Sequence, residues 1–299
     1  MSSIGPSFFI SGGCQDQAYR NVRDNLLTIN KILYPNRPEP RQFVESLWSR
    51  YSDLADPHFR EDARNHFLER FWEMYLAVTL RERGFQLRRA GREGPEFYLM
   101  CNDHKVWVEA VVPGPGEGID RVPEICYGEI QTVPTEKILL RFTNCLYEKR
   151  KKYKEALEKK IINSDDLYLL AINSRGIPHG PLGNTLPFFV QAFLPFGNAA
   201  MDLNTKTLKI IKSYYQYRDN VVKESGTPVS TTAFLNPEYS FVSAILHSGV
   251  DCLNHPDILG EDFMILHNPT ALHPLDPPIF HWCKQLFYRD GGLEIMPDR

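Results

Sequence analysis

Glu73, Glu96, Glu109 and Lys149 are of the kind that handle metals and phosphates, and each interrupts an otherwise apolar run. Glu73 lies within "HFLERFWEMYLAVTL", flanked by Phe71, Trp72, Met74, Tyr75 and Leu76. Glu96 follows Pro95 and opens "EFYLMC", while Glu109 breaks the run "VWVEAVV". Lys149 falls inside the stripe of Ile138, Phe142, Cys145, Leu146, Tyr153 and Ala156. A charged group in apolar surroundings is costly without a partner, which can be an opposite charge, a proton or a bound ion. Two carboxylates together suit a divalent cation with oxygen ligands, and an ammonium nearby suits a phosphoryl oxygen.

Spacing brings two of these acids together. With Asn102-Asp103 as a two-residue hairpin loop, Glu96 stands directly opposite Glu109, with the Cβ atoms about 5 Å apart. Such a like-charged pair is destabilising unless a cation lies between the carboxylates or one of them keeps its proton. Alternation then places Val106, Val108, Ala110 and Val112 on one face and Trp107, Glu109 and Val111 on the other. Simple solvation remains the alternative: both glutamates at a wet sheet edge, Glu73 on a narrow polar face of its helix, and Lys149 snorkelling to water. Glu69 and Glu82 are the expected solvated acids of that helix.

The elements that must position these groups follow from pattern. Residues from about Ala63 to Arg83 lack Gly and Pro and predict one helix, ended by Gly84. Phe85–Ala90 predicts a short strand, and Glu96–Cys101 and Lys105–Val112 two more. Pro113–Pro134 holds four prolines and four glycines, which excludes regular structure and predicts a long loop. Thr135 is the expected N-cap of a helix running to about Lys160, and Asp166–Asn173 reads as a strand buried on both faces. The order is α-β-β-β-α-β. Further on, strands are expected at Leu208–Tyr217, Phe241–Ser248 and Asp262–Asn268, with a helix near Pro187–Leu194.

Composition narrows the function classes. A formal net charge of -3 gives no overall positive field, so any polyanion must be held by a local patch. Six cysteines without a C-x-x-C pair argue against a zinc knuckle, a thioredoxin-like motif or a disulfide scaffold, and point to a reducing cytoplasm. No run of eighteen apolar residues suggests a membrane span. P-loop, dinucleotide, G-x-S-x-G and H-E-x-x-H motifs are missing from the sequence.

Glu73 on the first helix, Pro95-Glu96 at a strand start, Glu109 on the next strand and Lys149-x-x-x-Tyr153 on the following helix together resemble the PD-(D/E)XK nuclease superfamily. The likeness spans about residues 63–175. It implies an α/β fold of α+β mixed-sheet type, with a restriction-endonuclease-like αβββαβ core at 63–177. An N-terminal helical or irregular segment (1–62) would precede the core, and a C-terminal extension (178–299) would pack on it. Segments such as "LHSGVDCLNHP" have the look of a bacterial branch.

The resemblance further implies that Glu96 and Glu109 bind Mg²⁺ or Mn²⁺, with Glu73 as auxiliary ligand. It departs from the family in two places: Glu96 stands where Asp is usual, and the expected E-x-K reads Glu109-Ala110-Val111. Lys149 could supply the missing ammonium from the helix, with Lys137 the weaker substitute. The implied activity is metal-dependent hydrolysis of nucleic acid, DNA ahead of RNA. The alternative is a degenerate module that binds nucleic acid or protein without cutting. Arg150, Lys151, Lys152 and Tyr153 are the expected nucleic-acid contacts, and a homodimer is an assembly that the sequence leaves open.

Two further groupings stand apart. His247, Asp251 and His255 have metal-like spacing, but Gly249 and His255-Pro256 oppose the continuous helix that this spacing requires. Tyr214, Tyr215 and Tyr217 beside Arg218 could stack on bases, but packing of an additional strand is the simpler expectation.

Overall fold

The computed structural model describes residues 6–26, 39–91, 94–101, 104–126, 128–181 and 186–296. Its helices are α1 (Gln17–Arg23), α2 (Pro40–Tyr51), α3 (Phe59–Asp62), α4 (Phe67–Glu82), α5 (Thr135–Glu158) and α6 (Phe188–Phe193). Strands β1 (Leu87–Arg89), β2 (Phe97–Cys101) and β3 (His104–Val111) lie between α4 and α5, and β4 (Leu167–Asn173) follows α5. The order α-β-β-β-α-β is therefore present at α4 to β4.

The first expected helix is shorter at its start than its composition suggests. Residues 63–66 are not helical, and α4 begins at Phe67 because a distant side chain caps it there. Asp16 accepts the Tyr19 amide on Oδ1 at 3.1 Å and the Phe67 amide on Oδ2 at 3.0 Å, so one carboxylate caps both α1 and α4. Gly84 closes the helix end at φ +90°, a conformation open to glycine. Asp16→Ala should cost about 1–2 kcal/mol in urea unfolding, since it strips a cap from two helices.

β1, β2 and β3 form an antiparallel meander, and β3 pairs in parallel with β4. The sheet continues through β9 (Ala244–Ser248), β10 (Met264–His267), β11 (Lys284–Arg289) and β12 (Gly292–Met296), so that residues beyond 178 extend it to eight strands. The β9 and β10 segments match expected strands, whereas β11 and β12 had no counterpart in the sequence reading. The fold is mixed α/β with one large mixed sheet.

Each face of the sheet carries its own core. Val106, Val108 and Leu169 pack with Trp72 and Tyr75 of α4, while Trp107, Leu170 and Ile172 pack with Ile138, Phe142 and Leu146 of α5. The period-2 alternation of β3 thus sorts its residues between two helical layers. All seven residues of β4 are buried, as a strand covered on both faces requires. The Trp72 indole donates to the Ala171 carbonyl at 3.1 Å and ties α4 to that strand.

Among its described residues, the proline-rich stretch after β3 is irregular apart from a short 3-10 turn at Gly118–Asp120. Thr135 is the first helical residue of α5 rather than its cap, a position taken by Pro134. The strand expected at Leu208–Tyr217 forms as β6 (Ile210–Tyr217), but it pairs with β5 (Phe196–Leu203) in a separate ribbon. A second ribbon joins β7 (Asn220–Val222) to β8 (Pro228–Ser230). No helix among the described residues is long and apolar enough to cross a membrane.

Candidate functional site

The β2–β3 register aligns Phe97 with Val108 and Cys101 with His104. One rung further along, Glu96 meets Glu109, although the Asn102-Asp103 turn itself lies outside the described residues. Glu96 sits just before β2 and is only partly exposed. Its carboxylate Oε2 accepts the Ala110 amide at 2.7 Å, while its carbonyl accepts the Ala90 amide. Burial, reinforced by the charge of Glu109, pushes the Glu96 carboxyl up to about 8 against the opposing pull of Lys149.

Glu109 and Lys149 are both buried, at 5% and 8% exposed, and the Lys149 ammonium donates directly to Glu109 Oε1. Burial acts to lower the lysine pKa, but Glu109 and Glu96 outweigh it and hold Lys149 protonated. Lys149 therefore turns inward from the apolar stripe of α5 instead of snorkelling outward. Lys137 is committed elsewhere, donating to the Ile119 carbonyl at 2.8 Å and pairing with Glu224 at 3.2 Å.

Glu73 lies deeper, at 3% exposed, with both oxygens engaged. Oε1 accepts the Tyr51 hydroxyl and lies 3.7 Å from Arg89, while Oε2 accepts Arg70 at 2.7 Å. Burial raises its pKa in spite of these three partners. Arg70 stands three residues before Glu73 on the same helix, a spacing that makes their pairing legible in sequence. Tyr51 and Arg89 carried no such signal, because they arrive from α2 and β1. Glu69 and Glu82 are solvated, as expected.

Two hollows meet at Glu96. One, of about 370 Å³, is bordered by Glu96, Glu109, Lys152, Tyr153 and Tyr168. The other, of about 220 Å³, is bordered by Arg70, Glu73, Glu96, Ala110 and Lys149. Glu96 and Glu109 thus share one hollow, while Glu73 reaches Glu96 only across the second. Among the described residues no three His, Cys, Asp or Glu side chains are grouped so as to hold a metal ion.

The expected nucleic-acid contacts divide. Lys151 and Lys152 are exposed, with Lys152 on the rim of the larger hollow. Arg150 pairs with Glu238 at 2.8 Å and covers the Tyr239 ring, so its charge serves the fold. Tyr153 stacks on Phe241 with centroids 4.3 Å apart while still bordering the hollow.

His247, Asp251 and His255 do not form a metal set. His247 stacks on Phe189 and bonds Ser174, and burial pushes its pKa down to about 3. Asp251 pairs with Arg175 at 2.6 Å, and His255 stacks on Phe43 at 3.6 Å. Comparison with family models, with curated proteins and with solved structures finds no match to this chain.

Proposed function

We propose that this protein is a metal-dependent hydrolase of nucleic-acid phosphodiesters, with a restriction-endonuclease-like core of the PD-(D/E)XK type. The single observation that carries this reading is the convergence of Glu96 and Glu109, from the β2–β3 hairpin, onto one polar hollow, with the Lys149 ammonium of α5 bonded to Glu109. The antiparallel β1–β2–β3 meander and the return through α5 to a parallel β4 support it.

The donor set fits Mg²⁺ or Mn²⁺ with two carboxylates, since such ions keep several waters and take further oxygens from substrate phosphates. Glu96 and Glu109 would hold the ion, which would supply Lewis-acid polarisation at a phosphoryl oxygen. Glu73 is saturated by Tyr51, Arg70 and Arg89, so in this reading it acts on Glu96 through its charge and leaves the ligand set to the strand acids. Lys149 takes the part of the lysine that Val111 cannot play and offers its ammonium to the scissile phosphate. Lys151 and Lys152, exposed on the same helix, would follow the flanking phosphates of a DNA strand in preference to RNA.

A second reading has one specific observation in its favour: Lys149 already neutralises Glu109, the carboxylate an ion would use. In that case the chain binds nucleic acid without cutting it. Calorimetric titration with Mn²⁺, comparing wild type with Glu109→Gln, is paired with a cleavage assay on labelled DNA and RNA. Binding lost in the variant, together with metal-dependent cleavage, is the expected result. Nucleic-acid binding without Mn²⁺ binding or cleavage would replace the proposal by the second reading.

A further inference from the structure

Four tyrosines among the described residues are buried: Tyr19, Tyr51, Tyr75 and Tyr168. The first three follow the rule that a buried hydroxyl finds a partner. Tyr19 accepts the Ile10 amide at 2.9 Å, Tyr51 donates to Glu73, and Tyr75 donates to Asp262 at 2.6 Å. Tyr168 is the exception. It is 1% exposed, and its hydroxyl makes no hydrogen bond to the described residues. Nor is that hydroxyl among the polar atoms sealed from water without a partner. The residue borders the hollow of about 370 Å³ that Glu96 and Glu109 share, and its hydroxyl is the end that opens there.

The position of that hydroxyl is fixed from several sides. β4 carries Tyr168 opposite Trp107 of β3, on the face that also holds Glu109. The Tyr168 amide donates to Ser243 Oγ at 3.1 Å, and its carbonyl accepts the Ser243 amide at 2.9 Å. Tyr153 and Phe241 meet its ring edge-on, with centroids 5.2 and 5.7 Å away. With backbone and ring both held, the phenol keeps only rotation about its C–O bond. It cannot swing to a partner, so a partner has to come to it through the hollow. Burial, together with the charges of Glu109 and Glu96, raises its pKa well above the usual tyrosine value, and it stays a donor.

We infer that the Tyr168 hydroxyl is a binding group of this hollow, donating to a phosphoryl oxygen of a phosphate ester seated beside Glu96 and Glu109. The choice of phosphate rests on the proposed hydrolase reading. Tyr168 bonds to neither carboxylate although all three residues border one hollow, which leaves a place for a ligand atom between them. The carboxylates do not stand alone against an anion: Lys149 pairs with Glu109, and Lys152 and Lys159 border the hollow against Glu155. A hydrogen bond to an ionised oxygen is stronger than one to a neutral acceptor, so a phosphate gains more from this donor than water does. The hydroxyl also brings no charge of its own to be stripped of water.

The test compares the full-length wild type with Tyr168→Phe, which removes the hydroxyl and leaves the ring in place. Binding of inorganic phosphate, followed by phosphorus NMR with and without Mg²⁺, should weaken about 10-fold or more in the variant. Urea unfolding should show the variant at least as stable as wild type, because the hydroxyl bonds nothing within the fold. Equal phosphate affinity in the two proteins, or a wild type that binds no phosphate in either condition, would overturn the inference and leave the hydroxyl to water. A variant clearly less stable than wild type would overturn it as well, by showing that the fold itself uses the hydroxyl. The hydrolase reading fails separately: phosphate binding that depends on Tyr168, in a protein that cuts neither labelled DNA nor RNA, would keep the binding group and remove the activity.

Discussion

Replacing Lys149 with Met will destabilise the protein by about 3–5 kcal/mol, the cost of leaving one member of a buried ion pair without its partner. Lys149 and Glu109 are each less than a tenth exposed, and the ammonium lies directly on the Glu109 carboxylate. Methionine has nearly the same length and fills the same space, so the loss reports charge and not a cavity. Removing the charge from both residues in Lys149→Met/Glu109→Gln should recover most of the stability, because no ionised group is then stranded. Urea unfolding of the wild type, both single variants and the double variant closes the cycle. A single-variant loss below about 1 kcal/mol would mean that the pair behaves as a solvated surface contact. The recovered double variant should bind no Mn²⁺, which separates folding from function.

The second large effect is a pH dependence centred on Glu96. Its folded-state pKa is about 8, against an ordinary value of 4.5, so between these limits the folded chain holds a proton that the unfolded chain has released. This contribution to stability is fully present below about pH 4.5, declines as pH rises, and is gone above about pH 8. Glu73 and Asp262, also raised by burial, act in the same direction, whereas the lowered His247 and His267 act oppositely and favour higher pH. The difference in unfolding free energy between Glu96→Gln and wild type isolates the Glu96 share. That difference should grow in favour of the variant by a few kcal/mol from acid to mild alkali and then level off. A difference that stays flat with pH would show that Glu96 ionises in the folded protein as it does in water. In the proposed site a metal would have to displace this proton, so on that proposal Mn²⁺ affinity should also rise by up to tenfold per pH unit between about pH 6 and pH 8.

The elements that carry the candidate site were legible because their cues are local. Apolar periodicity marked α4 and α5, the all-apolar run marked β4, and the hairpin register placed Glu96 opposite Glu109. Interruption of those same patterns singled out Glu73, Glu96, Glu109 and Lys149. The extension was read less well. β12 alternates weakly at a sheet edge, with little burial to impose a pattern. β11 and β5 also escaped the sequence reading, and β6 was placed in the wrong setting because strand propensity is silent about which sheet a strand joins.

By itself, the sequence determined which side chains would be unable to stay unpaired, since a charge within an apolar run is a local fact. Only the tertiary structure decided who their partners are, because Tyr51 and Arg89 reach Glu73 from other elements, α2 and β1. The same division holds for Lys149. Its place in the stripe of α5 forced a choice between water and the interior, and the depth of Glu109 beneath that helix turned the ammonium inward. Pairing of this kind is set by distance in space, which no single stretch of sequence encodes.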